Sequence, residues 1–276
     1  MGCLRVRTLG LRRPCSTYMN LSQTPHRVLT ISSAAGAETT SAVMAWWMLA
    51  MVTYPDVQKR AQDELDSVVG RTRVPNFADL PYLPYIRAMV KEALRWRPVD
   101  PLGLPHLSTK DDWYNGMFIP KGSMMIANVW NLNRDPEIYG PDAAHFNPAR
   151  FLDANGEVTS CAPETREEGH VTYGFGRRVC VGKHVANNSL FIDFAMMLWA
   201  CRIELGKDES GTVTQIDVDG CMEDGLVVWV FFLRSSVVEP SGLILPLTAS
   251  RPVPFKVDVT PRFPEAVALL AAENEF

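Results

Sequence analysis

Apolar residues occupy nearly every face of the stretch from Ile31 to Tyr54 (Ala34, Ala35, Val43, Met44, Trp46, Trp47, Leu49, Val52), the pattern of a helix buried on all sides. Pro55 restrains Tyr54 and ends that helix, then opens a second one at the position where its missing N–H costs nothing. This second helix is polar and amphipathic through DVQKRAQDELDSVV, belongs on the outside, and stops at Gly70. A third helix is predicted from Pro84 to Trp96, where Ile86, Met89, Val90, Ala93 and Leu94 make one apolar stripe. After Pro98 the pattern shortens. Asn115-Gly116 signals a hairpin, and FIPKGSMMIANV reads as a turn followed by a short buried strand. Residues 134–169 are loop-rich, interrupted by Pro136, Pro141, Pro148 and Pro163. A long helix is predicted from about Val181 to Cys201, and the remainder is strand-like with proline breaks. The predicted fold is mainly α with small β-sheets, without internal repeats.

Composition narrows the function classes. A chain of 276 residues that is 47% hydrophobic and 21% charged can bury one large core or two small ones. A net charge of -4 supplies no basic face for phosphates, so nucleic acid is not expected as a partner. The cysteines at 3, 15, 161, 180, 201 and 221 include no C-x-x-C pair, which argues against a zinc knuckle or a disulfide framework and for a reducing compartment. No apolar run reaches the ~18 residues of a membrane span; the longest candidate is LVVWVFFL behind Gly225. The first 37 residues carry Arg5, Arg7, Arg12, Arg13 and Arg27 with no acid, and residues 1–30 read as a basic leader resembling a mitochondrial transit peptide in composition.

Three stretches carry candidate chemistry. In AGAETTS, residues 35–41, Glu38 is out of place in a dry helix unless it is paired, protonated or facing water, and an acid beside Thr39 can pass protons. Small residues there also suit a helix crossing, and a Thr hydroxyl bonded to the preceding turn would bend the helix and open a groove. In KEALR, Glu92 and Arg95 stand at i, i+3, but the helical wheel turns them away from the apolar stripe, so periodicity alone predicts an exposed salt bridge of little worth.

The third stretch, YGFGRRVCVG at 173–182, fails the two nucleotide patterns it superficially suggests. Val179 stands where G-x-G-x-x-G needs its third glycine, and Arg177 and His184 stand where the phosphate-loop pattern needs glycine and Ser or Thr. A cysteine at the mouth of a helix is favoured as thiolate by the helix terminus. One sulfur, even with His184 one turn on, is too few ligands for tetrahedral zinc but sufficient as the axial ligand of a haem iron. Gly176 and Gly182 would admit a flat macrocycle, and Arg178 could meet a propionate. Alone, Cys180 would read as a buried structural thiol; its neighbours argue otherwise.

These residues together resemble the haem-thiolate monooxygenases, the cytochromes P-450, of a eukaryotic, fungal kind. The family's F-x-x-G-x-R-x-C-x-G is matched by Tyr173, Gly176, Arg178, Cys180 and Gly182, with tyrosine replacing phenylalanine. Its A-G-x-[DE]-T-T is matched by Ala35 to Thr40, and its E-x-x-R by Glu92 and Arg95. The resemblance implies that Arg150 of PARF locks Glu92 and Arg95, reversing the periodicity reading, with Ala149 in place of the usual acid. It implies haem b held through Cys180 as the metal ligand, His106 of PLGLPHLS as a propionate partner, and proton delivery by Glu38 and Thr39. It further implies a small organic substrate, O2, electrons from NADPH through a flavoprotein reductase, and the endoplasmic reticulum membrane as the location.

The match covers roughly Ile31 to Val228 and resumes from Arg251 to Pro264, beginning at the family's central oxygen-activating helix. Residues 31–265 are therefore expected to be the C-terminal part of a haem domain, a partial cytochrome P-450 fold. An insertion is expected at about 229–250, and a tail at 266–276. With the distal roof and the membrane anchor outside the match, a catalytically silent fragment is the alternative, and a phosphate-binding module a distant third.

Overall fold

The computed structural model describes residues 25–159, 165, 167–207, 210–213, 216, 218, 227–230 and 247–273. Helix α1 spans Pro25–Thr53, α2 Pro55–Val68 and α3 Pro84–Trp96. A 3-10 turn, Phe77–Tyr82, joins the last two, closed by a reciprocal cap in which Asn76 accepts from Ala78 and Asp79 accepts from the Asn76 N–H. Pro84 opens α3, and the two N–H groups that follow, Tyr85 and Ile86, donate to the Glu64 carboxylate of α2 at 2.8 and 3.1 Å. A side chain from a neighbouring helix thus caps α3 and fixes the angle between the two.

Beyond α3 come short elements: β1 (His106–Leu107), β2 (Asp112–Tyr114), β3 (Met117–Ile119), β4 (Met124–Met125), α4 (Val129–Leu132) and α5 (Pro136–Tyr139). Helix α6 (Lys183–Ala200) leads into β5 (Cys201–Leu205), followed by β6 (Val227–Val230), β7 (Leu247–Ser250), β8 (Val257–Pro261) and α7 (Ala266–Glu273). Four antiparallel two-stranded ladders result, β1–β4, β2–β3, β5–β8 and β6–β7. Asn115 and Gly116 both have positive φ, so the predicted hairpin turn is formed between β2 and β3.

The core lies where α1, α2, α3 and α6 meet. Trp47 of α1 stacks on Phe194 of α6 with ring centroids 4.2 Å apart, Trp46 and Trp96 meet edge to face, and Trp199 packs edge-on against Phe263. Gln58 of α2 is buried and splices this core to the sheet: its amide donates to the carbonyls of Met51 and Ile203 and accepts from the Ile203 N–H.

Several expectations change. Helix α1 begins at Pro25, and its all-round burial holds only for the C-terminal part: Gly36, Ala37 and Ser41 are exposed, whereas Trp46 to Val52 form the core. Helix α6 starts at Lys183, leaving Val181 exposed ahead of it. The strand predicted as buried, β4, is exposed, as are Trp113, Tyr114, Met117 and Phe118 of the hairpin, where Trp113 and Phe118 pack only on each other among the described ring contacts. The tail contains a helix, α7, anchored by buried Ala266. Most of the expected leader and of the 229–250 insertion lies outside the described residues; within the latter, β7 pairs with β6. No helix among the described residues is long and apolar enough to cross a membrane.

Candidate functional site

The loop that carries Cys180 is a closed turn. Gly174 and Gly176 take left-handed backbone, Arg178 N–H donates to the Phe175 carbonyl, and Cys180 N–H donates to the Tyr173 carbonyl at 2.8 Å. The Cys180 side chain is exposed, so it is not a buried structural thiol. Gly182 caps α6 close behind it, with the sulfur 3.9 Å from where a Cβ would sit. At Gly176 a Cβ would meet nothing within 4 Å, and the loop therefore borders open space.

That space is a cavity of about 630 Å3 lined by His106, Phe175, Gly176, Arg177 and Arg178. Strand β1 brings His106 to this cavity from a point far along the chain. Tyr173 is not among those lining residues. Its hydroxyl donates to Asn187 Oδ1 of α6 at 2.6 Å, so the oxygen that departs from the signature has a buried partner, and burial pushes its pKa up. Asn187 and Lys183 in turn donate to Glu168 at 3.0 and 2.9 Å. Burial opposes the charge on Glu168, but these two donors outweigh it and hold its carboxyl below the usual range.

Glu92, Arg95 and Arg150 form one buried cluster. Arg95 grips Glu92 through Nε and Nη2 at 2.7 and 2.8 Å, Arg150 Nε reaches the same carboxylate at 3.1 Å, and Asn147 N–H adds a contact at 2.7 Å. The remaining guanidinium donors go to carbonyls of Asn133, Ala143 and His145 from Arg95, and from Arg150 to carbonyls of Tyr139, Asp142 and His145 and to the Asp142 carboxylate at 3.1 Å. Glu92 and Arg95 are both 0% exposed. Periodicity placed them on an outer face; residues 139–150 wrap that face and make it interior.

His170 was not singled out by sequence reasoning, since a lone histidine in a loop gives no local signal. It is buried beneath the cysteine loop, accepts from Thr172 N–H through Nδ1, and its Nε2 has no partner among the described residues. A cavity of about 40 Å3 beside it is large enough for a water. Burial lowers its pKa to about 3; Glu168 opposes this, while Lys91, Arg95 and Lys183 reinforce it. With an unfolded value near 6.5, the unfolded chain takes up a proton below that pH that the folded chain refuses. The stabilisation is complete above about pH 6.5 and is lost as pH falls toward the folded value. His170→Gln is expected to flatten the fall in stability between about pH 6.5 and 4.5, removing up to about 1.4 kcal/mol per pH unit. Urea unfolding midpoints across that range check this; parallel profiles would contradict it.

Glu38 is half-exposed on α1 and pairs with Arg251, a partner 213 positions away that sequence reasoning did not identify. Ser41 returns its hydroxyl to the Glu38 carbonyl at 3.0 Å, and α1 is continuous helix through AGAETTS. Glu38 and Thr39 are not among the residues lining the 630 Å3 cavity.

The donor set suits a haem. One exposed thiol, a glycine whose missing Cβ leaves clearance, and an imidazole and two guanidiniums around one cavity match an iron macrocycle with anionic propionates. Among the described residues no three His, Cys, Asp or Glu side chains group as a chelate.

The described residues thus set a cysteine on a glycine turn ahead of a long helix, with a buried Glu–Arg–Arg cluster behind it, in a mainly helical fold. Residues 19–218 match the model of the cytochrome P450 family, and the chain belongs to that family. Its fold is a partial cytochrome P450 fold, mainly α with small β-sheets. It is 63% identical over 242 residues to a cytochrome P450 monooxygenase of Armillaria gallica, covering 88% of this chain and 42% of that one. A cytochrome P450 monooxygenase of Postia placenta is 49% identical over 237 residues, covering 86% and 40%. The chain thus spans about two fifths of the length of the curated relatives it matches.

Proposed function

We propose that this chain is the C-terminal part, roughly residues 31–265, of a haem-dependent monooxygenase that inserts one oxygen atom of O2 into a small organic substrate. The observation that carries the reading is the convergence of His106 and Arg178, from separate elements, on the cavity beside the cysteine loop. Cys180 would hold the iron through its thiolate, and Arg178 and His106 would neutralise the propionates. Gly176 and Gly182 leave the backbone free to lie close to the ring, while Tyr173 anchors the loop to α6. Haem, when bound, supplies the binding and reductive activation of O2. Glu38 and Thr39 would relay protons from solvent; the Arg251 pairing keeps Glu38 at the surface end of that route. The electrons would come from NADPH through a flavoprotein reductase, at the endoplasmic reticulum membrane. The segment at about 229–250 is proposed as an insertion.

One observation favours a second reading, a fragment that retains no haem: the apolar side chains of β1, β4 and the β2–β3 hairpin are exposed. Expression of residues 1–276 with haem supplied separates the two. A Soret band with a thiolate-type shift on reduction and carbon monoxide addition supports the monooxygenase reading, and its absence supports the silent fragment.

A further inference from the structure

We infer that Asn133 is a positioning residue that couples the buried Glu92–Arg95 pair to the loop carrying Cys180. The inference rests on the reading of Cys180 as the haem ligand for its functional meaning, though not for its geometry. Asn133 follows α4, is 0% exposed, and is bonded at every polar atom. Its N–H donates to the Val129 carbonyl at 3.0 Å, and its own carbonyl accepts Arg95 Nη1 at 2.7 Å. Its side-chain Oδ1 accepts the Val171 N–H at 2.9 Å, and Nδ2 donates to Thr172 Oγ1 at 2.9 Å.

The orientation of this amide is dictated by its neighbours. Val171 N–H can only donate, so it faces oxygen; the Thr172 hydroxyl spends its proton on the Leu94 carbonyl at 2.7 Å, so it must be met by a donor. The next residue, Tyr173, offers the carbonyl that receives Cys180 N–H. A continuous path of hydrogen bonds, buried from Glu92 to Asn133 and part-buried at Val171 and Thr172, therefore runs from Glu92 through Arg95, Asn133 and Thr172 to the backbone that closes the cysteine turn. Other straps hold the flanks: Lys91 and Tyr139 bind carbonyls at 167–169, while Asn187 and Lys183 bind from α6. Asn133 holds the two residues between those flanks and is itself fixed by Arg95.

Aspartate at 133 would keep an acceptor for Val171 but set an oxygen against Thr172, whose proton is already committed. Valine at 172 would keep the shape and remove the hydroxyl. Hydrogen exchange of the full 276-residue chain, read by mass spectrometry, tests the coupling with N133D, T172V and T172S. N133D and T172V are expected to raise exchange across residues 171–180 by about tenfold, the factor that loss of one net hydrogen bond carries. Exchange in α2 and α6 should stay unchanged, and T172S, which restores the hydroxyl, should exchange as the wild type. If N133D fails to fold, the T172V and T172S pair decides. Wild-type exchange in T172V, equal loosening of α2 and α6, or loosening in T172S would each overturn the inference. The exchange result does not depend on haem, so a wild-type chain without a Soret band but with the coupling intact would reject the cofactor reading alone. Where haem is retained, N133D and T172V should also lose part of the thiolate-type carbon monoxide band, and an unchanged band would overturn the functional half of the inference.

Discussion

Arg95→Met is expected to cost about 3–5 kcal/mol of folding stability, read as a fall in the urea unfolding midpoint. Methionine fills much of the volume, so the effect is one of charge and hydrogen bonding. The Glu92 carboxyl would be left in a dry interior with only Arg150 and one backbone N–H beside it. The carbonyls of Asn133, Ala143 and His145 would each lose the donor that Arg95 supplies. The exposed Lys59–Asp63 pair of α2 provides the contrast, since solvent and salt screen it: Lys59→Ala should change stability by at most about 0.5 kcal/mol. A loss below about 1 kcal/mol for Arg95→Met would contradict a buried, uncompensated carboxylate.

Cys180→Ala is expected to abolish the thiolate-type carbon monoxide band completely while leaving the stability of the haem-free chain within about 0.5 kcal/mol of wild type. The two halves follow from one fact. The thiol is exposed, so it contributes little to the packing, and the role its loss would remove is the proposed one of iron ligand. Survival of the band in the alanine variant would reject Cys180 as the iron ligand. A large loss of stability would instead make the side chain structural. The measurements are a reduced carbon monoxide difference spectrum and a urea titration on the same preparation.

The candidate site was legible in the sequence to the extent that local chemistry marks it. Glycines at 174, 176 and 182 and the arginines ahead of Cys180 have few other uses in such density, and Gly174 and Gly176 do take left-handed backbone in a turn beside a cavity. His106 was identified only through the family resemblance, and the cavity gives it a place next to Arg178. Glu92 and Arg95 show the limit of periodicity. A helical wheel reports which faces of one helix differ, but it cannot report what another part of the chain lays over them. The resemblance pointed to Arg150, and the ion contact is present at 3.1 Å.

Other features left no trace to read. His170 and Asn133 are single polar residues in loop-rich sequence, and nothing in their neighbours distinguishes a buried, bonded side chain from a solvated one. Glu38 was marked as anomalous, yet its partner Arg251 stands near the other end of the chain, where only folding brings it close. The run Met124 to Ile126 reads as buried because it is apolar; it is exposed because a preference for burial does not supply a covering element.

The sequence by itself determined where α2 and α3 begin, where the hairpin turns, and which loop offers a thiol, because prolines, Asn-Gly and closely spaced glycines restrict the backbone within a few residues. Only the tertiary structure decided which charges are buried, which carbonyls satisfy them, and how Asn133 ties the ion cluster to the cysteine turn. Those outcomes depend on contacts between residues tens of positions apart, and their energies arise from excluding water, a condition that no short stretch of chain can meet alone.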